Sequence, residues 1–96
     1  MIITQVIFQL KEPISLEAAT TIFESTAPKY KGRAGLERKY YIRSEDGMNV
    51  GGLYFWTSRA DADATYTEDW KKMVTEKYGA LPVMSYFDAP VSVDNT

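Results

Sequence analysis

Met48–Ser58 reads MNVGGLYFWTS, in which two adjacent glycines precede a leucine and three consecutive aromatic residues. Aromatic residues favour strands, whereas a glycine inside a strand marks a bulge or the close approach of a ligand or another backbone. We therefore predict a strand with a notch at Gly51 and Gly52, beside large rings. A bulge that fits a helix is the favoured interpretation at Gly51. Gly52 shares a face with Tyr54 and Trp56, so a bulge and a ligand notch both stay open there.

The rest of the chain divides into elements at its proline, glycine and capping residues. Ser15 and Ser58 offer hydroxyls that can cap the N-termini of two helices. Pro28 ends the first helix, and Gly79 suits the C-terminus of the second. The expected order of strand, helix, strand, strand, helix, strand is the ferredoxin-like βαββαβ arrangement. The predicted strands are Ile2–Leu10, Leu36–Ser44, Asn49–Trp56 and Leu81–Ala89, and the predicted helices run from Leu16 to about Thr26 and from Ser58 to about Lys77.

This order predicts an α+β fold in which a single four-stranded antiparallel sheet carries both helices on one face. The first and third strands are expected in the middle of the sheet, and the polar second strand at an edge, where charged residues are common. We expect a single domain over residues 1–96.

Apolar side chains project from both faces of the predicted central strands. In the third strand, Tyr54 and Trp56 share one face, while Leu53 and Phe55 share the other. Two helices can cover only one face of the sheet, and soluble proteins rarely expose a large apolar face. A second copy of the chain is therefore expected to cover the other face, which gives a two-fold homodimer.

The composition excludes several classes of site. The 96 residues include no cysteine and no histidine, which removes disulfides, most zinc, haem and iron–sulfur ligation, and nucleophiles paired with histidine. Asp61 and Asp63 are two residues apart on a predicted helix and do not face one another, so no metal site is expected. No glycine-rich dinucleotide fingerprint or P-loop is present.

Neither a membrane nor a nucleic acid is an expected partner. No apolar stretch approaches spanning length, Met1–Pro13 does not read as a signal peptide, and the cytoplasm is the expected compartment. Lys29–Arg43 holds six basic residues interleaved with tyrosines, and βαββαβ is also the topology of RNA-recognition motifs. The third strand has a leucine and a tyrosine where that module needs an aromatic and a small residue. The basic residues of this segment are therefore better explained by a solvated edge strand than by RNA binding, in keeping with the net charge of −2.

The aromatic residues include a candidate ligand site. Arg38 and Tyr40 share a face of the second strand, which we expect to pair with the third strand. Tyr66 and Trp70 lie four residues apart, and therefore on one face of the second helix. Rings with polar tips and one arginine in an apolar cleft suit a flat, electron-rich aromatic ligand. Each ring taken singly is better explained by core packing, but the whole set leaves both interpretations open. The predicted pocket is lined by Arg38, Tyr40, Gly52, Tyr54, Trp56, Tyr66 and Trp70.

Three segments, GGLYFW, SRADADATY and YGALPVMSYFDAPVSVDN, resemble the YdhR-like monooxygenases, and the similarity extends over nearly the whole chain. That family is part of the dimeric α/β-barrel superfamily, which includes the antibiotic-biosynthesis monooxygenases. The resemblance implies two ferredoxin-like subunits whose sheets pack face to face as a barrel. It also implies oxygenation of a phenol- or hydroquinone-type aromatic compound without a metal, a flavin or any other cofactor.

In that chemistry a deprotonated phenol reduces dioxygen directly, while the protein removes water from the substrate and favours its anion. Arg38 is then expected to favour the anion, and Tyr40 or Tyr54 to pass a proton. Trp56 and Trp70 are expected to form the walls of the pocket, and the remaining lining residues to contact the substrate. A non-catalytic small-molecule-binding protein with the same fold and pocket is the alternative.

Overall fold

Four strands, three helices and a 3₁₀ turn make up the computed structural model, which describes residues 1–96. The strands are β1 (Ile2–Gln9), β2 (Leu36–Arg43), β3 (Asn49–Trp56) and β4 (Val83–Asp88), the helices are α1 (Leu16–Thr26), α2 (Arg59–Thr65) and α3 (Glu68–Tyr78), and the 3₁₀ turn is Ala27–Lys29. The sheet is antiparallel with the order β2-β3-β1-β4. This confirms the ferredoxin-like α+β fold, with the first and third strands central. No helix is both long enough and apolar enough to cross a bilayer.

The first helix begins and ends where the sequence predicts. The hydroxyl of Ser15 accepts a hydrogen bond from the backbone N–H of Ala18 at 3.1 Å, which satisfies a free donor of the first turn. The helix gives way to the 3₁₀ turn because Pro28 has no N–H with which to continue the helical bonding. Tyr30 follows this turn directly and is placed beside the sheet, where its ring contacts Lys39 of β2.

The expectation of one continuous second helix from Ser58 is wrong in its middle. The chain forms α2 and α3 instead, and they are separated at Tyr66, where φ of −85° and ψ of 58° are not helical. The hydroxyl of Thr67 accepts a hydrogen bond from the backbone N–H of Trp70 at 3.2 Å and so begins a new helix. At this break the Tyr66 side chain reaches the sheet, where its hydroxyl bonds that of Thr4.

The helices pack on one face of the sheet, and the core lies between them. Val6, Val50 and Trp56 are each at most 1% exposed on that face. The opposite face, called the open face below, is much less covered, and Val83 and Phe87 of β4 are each 51% exposed there. The prediction that the sheet carries apolar side chains on both faces is thus confirmed.

A β-bulge decides which side chains of β2 face the helices. Leu36 and Arg38 pair with consecutive residues of β3, although they stand two residues apart in β2. One extra residue shifts the two-residue alternation of a strand by one position. Beyond the bulge, Lys39 and Tyr41 therefore face the helices, whereas Arg38 and Tyr40 project from the open face.

Two glycines meet different requirements. The bulge expected at Gly51 is absent, because β1 and β3 pair through Ile7 and Gly51 without a register shift. A side chain at Gly51 would collide with the backbone carbonyl oxygen of Val6, so this glycine permits two backbones to approach closely. Gly79 has φ of +69° and donates its N–H to the carbonyl of Thr75 at 2.8 Å, which confirms the predicted end of the helix.

Candidate functional site

Four of the predicted site residues form a continuous aromatic cluster between the sheet and the two C-terminal helices. The ring centroid of Tyr66 lies 5.5 Å from that of Tyr54 and 5.8 Å from that of Trp56. Trp70 approaches the same ring, at 4.6 Å between centroids. Tyr54 and Trp56 are stacked with their planes 2° apart. The break between α2 and α3 thus places Tyr66 at the centre of the cluster.

The polar atoms of the deepest rings are hydrogen bonded within the chain. The indole N–H of Trp56 donates to the hydroxyls of Thr4 and Tyr66, each at 3.2 Å. Thr4 and Tyr66 also bond one another. Trp56 and Thr4 are both 0% exposed, and burial raises the pKa of Tyr66 above its ordinary range. A fully bonded buried network of this kind rigidifies the core, so contact with a ligand is left to rings nearer the surface.

A small cavity lies beside this cluster, under α3 and the 3₁₀ turn. Its volume of about 10 Å³ is room for one water-sized atom. The Nζ of Lys39 lies 3.5 Å from the ring centroid of Tyr30, 3.8 Å from that of Tyr41 and 4.4 Å from that of Tyr54. Gly52 makes room for this lysine, because a Cβ there would stand 3.0 Å from the Lys39 Cε. Lys39 and the three tyrosine rings around its Nζ are called the lysine cage below.

The charge of Lys39 is not balanced by any acid. No carboxylate lines the cavity. The other charged side chain that lines it is Lys77, which is also a cation. The ring faces favour the ammonium form of Lys39, but the loss of water around a buried amine disfavours it. Burial has the larger effect and lowers the pKa of Lys39 from 10.5 to about 7. Lys39 is therefore partly a neutral amine near neutral pH, which is the condition under which a lysine serves as a general base.

Three tyrosines around the cavity, Tyr41, Tyr54 and Tyr78, keep their protons. Burial raises the pKa of Tyr54 far above its ordinary value, and it also raises the pKa of Tyr41, whose hydroxyl bonds that of Thr26 at 2.8 Å. Burial likewise raises the pKa of Tyr78 to about 12. These phenols can donate hydrogen bonds to an oxygen in the cavity, but they do not accept its proton at neutral pH.

A wider cleft, called the outer cleft below, opens between Tyr30 and Trp70. Its volume is about 420 Å³, and it is bounded by the 3₁₀ turn and the junction of α2 and α3. Tyr30 and Met73 line both the outer cleft and the small cavity, so their side chains form the partition between the two spaces. The indole N–H of Trp70 donates to the hydroxyl of Tyr30 at 2.9 Å and holds the partition in place.

The fold relates this chain to proteins of known structure, although its sequence matches no family profile and no curated protein. A monooxygenase from the gene ActVA-Orf6 of Streptomyces coelicolor, solved in complex with nanaomycin D, superposes with a TM-score of 0.71 at 14% identity, over 99% of this chain and 92% of that one. SnoaB, a cofactor-independent oxygenase of Streptomyces nogalater, superposes with a TM-score of 0.68 at 15% identity, over 96% of this chain and 95% of its own. A further antibiotic biosynthesis monooxygenase gives 0.65 at 15% identity, over 93% and 98%. The chain has the fold of the antibiotic biosynthesis monooxygenases.

The observed fold is the one that the resemblance in the sequence implies. Membership of the superfamily and of its YdhR-like subgroup stays a prediction. At identities of 14% and 15% the likeness is one of fold, and a shared fold hosts many activities. The chemistry of this chain therefore depends on its own residues.

Arg38 and Tyr40 lie outside the outer cleft, on the open face of this fold. The guanidinium of Arg38 donates to the hydroxyl of Tyr40 at 3.0 Å, and the Tyr40 ring meets Phe55 edge-on with centroids 5.9 Å apart. The expectation that they share one pocket with Tyr54 and Trp56 is wrong within a single chain, because the bulge in β2 moves both side chains to the opposite face. Their catalytic roles stay predictions that depend on what covers the open face.

Three residues that line the small cavity, namely Tyr30, Lys39 and Tyr41, were missed by the sequence analysis. Lys39 stands in a polar strand, and a strict alternation counted from Leu36 puts it away from the helices. The available signal is Gly52, which pairs with Tyr41 and has no side chain, so a long side chain from β2 can lie across it.

Acidic residues form no metal site in this structure. No group of three or more histidine, cysteine, aspartate or glutamate side chains comes together. Asp63 pairs with Arg59 at 3.1 Å, and Asp61 accepts a hydrogen bond from the hydroxyl of Ser58 at 2.9 Å. Asp61 lies in the first turn of α2, where negative charge complements the helix dipole.

Proposed function

We propose that this chain is a cofactor-independent monooxygenase that acts on a small aromatic compound of the phenol or hydroquinone type. The observation that carries the proposal is the outer cleft, which only Tyr30 and Met73 separate from a cavity that holds lysines and phenols but no acid. Such surroundings bind a flat ring by its faces and stabilise negative charge on its oxygen. SnoaB, which shares the fold, is a cofactor-independent oxygenase.

The proposed reaction needs no metal or flavin because an ionised phenol is itself the reductant. The phenolate gives one electron to dioxygen, which yields a phenoxyl radical and superoxide. The two recombine at a ring carbon that bears hydrogen, and protonation gives a hydroperoxide. Loss of water leaves one oxygen atom in the product as a carbonyl, and the other leaves in the water. The protein holds the anion and excludes bulk water.

Residues along the outer cleft have distinct parts in this proposal. Trp70 offers a ring face on which a planar substrate packs, and Met73 adds a polarisable thioether. Tyr30 closes the inner end of the cleft until the substrate displaces its ring. Tyr54 lies at the inner end and stays protonated because of its burial, so it donates a hydrogen bond to the substrate oxygen. Trp56 lies behind these groups and fixes their positions.

The same proposal includes a homodimer in which two open faces pack together. Leu53 and Phe55 of the central strand β3 project from that face, and Val83 and Phe87 extend the apolar surface to the sheet edge. Covering this surface removes apolar area from water, which favours association. Arg38, whose guanidinium bonds Tyr40 on the open face, then lies in the interface.

A non-catalytic small-molecule-binding protein is the second candidate. The observation that favours it is the size of the inner cavity. A volume of about 10 Å³ holds a single atom of a ligand and leaves no space for dioxygen unless Tyr30 or Met73 moves. Binding in the outer cleft needs no such movement.

Oxygen uptake separates the two candidates. The purified chain, treated with a chelator and free of flavin, is mixed with a panel of hydroquinones and polycyclic phenols under labelled dioxygen. Uptake that yields a product with one labelled oxygen atom supports the monooxygenase. Binding of the same compounds by calorimetry without uptake supports the binding protein, and neither binding nor uptake contradicts both.

A further inference from the structure

Lys39 is a half-buried amine that forms no ion pair with an acid, although Glu37 lines a surface cleft that Lys39 and Tyr30 also line. From β2 and β3 it meets the rings of Tyr41 and Tyr54, and from the 3₁₀ turn the ring of Tyr30. From α3 the cavity receives only Lys77 and Tyr78 as titratable groups. On the side of the small cavity, this amine meets three phenol rings and a second lysine but no carboxylate, so an anionic oxygen placed there would complement its charge.

Tyr30 already presents a phenol ring to this amine. Its centroid is 3.5 Å from the Lys39 Nζ, the shortest of the three ring distances in the lysine cage. Tyr30 is also the cage residue that reaches the outer cleft, where Trp70 holds its hydroxyl. A planar phenol entering from the cleft can therefore take the place of the Tyr30 ring beside Nζ, with its oxygen in a cavity the size of one atom.

We infer that Lys39 is the general base that removes the phenolic proton of the ligand and then holds the resulting phenolate as its counter-ion. In this step the O–H bond of the phenol breaks, its electron pair stays on oxygen, and the proton forms a new N–H bond on Nζ. A neutral amine and a neutral phenol become an ammonium and a phenolate, so charge balances. The inference rests on the proposed function for the use of that phenolate, but the proton transfer requires no dioxygen.

The other candidates for this base are less suitable. Tyr54 keeps its own proton because burial raises its pKa, so it cannot accept another at neutral pH. Arg38 lies on the open face, and a guanidinium does not lose its proton in proteins. The pKa of Lys39, lowered to about 7 by burial, leaves a free electron pair on part of the population at neutral pH.

Ionisation of a coloured phenol tests the inference without turnover. 4-Nitrophenol, whose anion absorbs visible light and whose neutral form does not, is bound anaerobically and titrated with base. We expect the pKa of the bound probe to fall by at least about one unit relative to the free probe, and the substitution Lys39→Met to abolish this shift. Lys72→Met, which changes an exposed lysine of α3, should leave the shift intact. Absence of the shift in the natural chain, or its persistence in Lys39→Met, overturns the inference, and so does failure of the probe to bind.

Lys39→Arg separates a base from a mere positive charge. Arginine keeps the charge but cannot accept a proton, so in this variant kcat/KM should rise with pH up to the pKa of the substrate phenol instead of levelling near 7. An unchanged pH profile in Lys39→Arg overturns the assignment of Lys39 as the general base.

The failure of this inference and the failure of the proposed function give different results. Suppose that the bound probe ionises through Lys39 but the chain consumes no oxygen with any hydroquinone. This result contradicts the proposed monooxygenase function and supports Lys39 as the general base. If the substitution Lys39→Met leaves oxygen uptake unchanged, the result supports the proposed monooxygenase function and overturns the role of Lys39 as the general base. We expect this variant to lose about a hundredfold in kcat/KM, the usual contribution of a general base.

Discussion

Lys39 and Tyr54 face one another across β2 and β3, with the lysine Nζ 4.4 Å from the centroid of the tyrosine ring. Burial pushes both groups toward their neutral forms, because it lowers the pKa of Lys39 to about 7 and raises that of Tyr54. At neutral pH an amine that can take a proton thus stands beside a phenol that keeps its own.

The substitution Lys39→Met is expected to stabilise the chain. Folding lowers the pKa of Lys39 from 10.5 to about 7, so the folded state holds this proton less well than the unfolded state. The destabilisation is complete below pH 7, shrinks as the pH rises toward 10.5 and is absent above it. In urea, the free energy of unfolding of the variant should exceed that of the natural chain by about 1–3 kcal/mol at about pH 6, and by less at about pH 9. A difference that does not vary with pH contradicts the lowered pKa, and Lys72→Met is the control.

The substitution Tyr30→Ala should merge the outer cleft with the small cavity. The ligand then no longer has to displace a ring, so we expect 2-naphthol to bind about tenfold more tightly in calorimetric titrations. Tyr30→Phe is the matched variant, because it keeps the ring and loses only the hydroxyl that accepts from Trp70. Equal affinities of the two variants would show that Tyr30 is not a partition.

Alanine should be tolerated at Gly52 far better than at Gly51. A Cβ at Gly51 would strike the backbone carbonyl of Val6. One at Gly52 would meet only side chains closely, the flexible end of Lys39 at 3.0 Å and the edge of the Tyr54 ring at 3.1 Å. We expect Gly51→Ala to lower the free energy of unfolding by more than about 2 kcal/mol, and Gly52→Ala by about 1 kcal/mol or less. Thermal and urea unfolding measure both. Equal costs would contradict the close approach of β1 and β3 at Gly51.

The substitution Leu53→Glu should separate the proposed dimer. Leu53 lies at the centre of the open face, and a charge placed there would lose its water in the interface. Analytical ultracentrifugation is expected to give twice the 10.9 kDa chain mass for the natural protein and a single chain mass for the variant. Leu16→Glu places the same charge on α1, where Leu16 is 65% exposed, and should leave the mass unchanged. A natural chain that sediments as a monomer at micromolar concentration refutes the dimer directly.

Local signals in the sequence predict most of the fold. Ser15, Pro28 and Gly79 act through contacts with their near neighbours in the chain, and the helix ends that they predict are confirmed. The break at Tyr66 is the exception. There a local cap from Thr67 and the buried bonds of the Tyr66 hydroxyl act together, and those bonds involve residues far away in the sequence.

The candidate site is only partly predictable from the sequence. The placement of Gly52, Tyr54 and Trp56 on the helix-covered side follows from regular alternation in β3. Tyr66 and Trp70 also meet there, but not through the helical spacing that was predicted, because the helix is broken at Tyr66. Arg38 and Tyr40 were misplaced relative to that group because a bulge inserts one residue into β2, and no local pattern near Leu36 marks its position.

The amino-acid sequence by itself determined the order of strands and helical segments along the chain, the two apolar faces of the sheet, and the lack of thiol and imidazole chemistry. Those properties depend on residue type and on near neighbours in the chain. Tertiary structure alone decided that Lys39 enters a cage of three tyrosines and loses its water there. The reason is physical: a lysine in an exposed strand and a lysine under a helix have the same side chain, and only packing sets the solvation that changes its pKa.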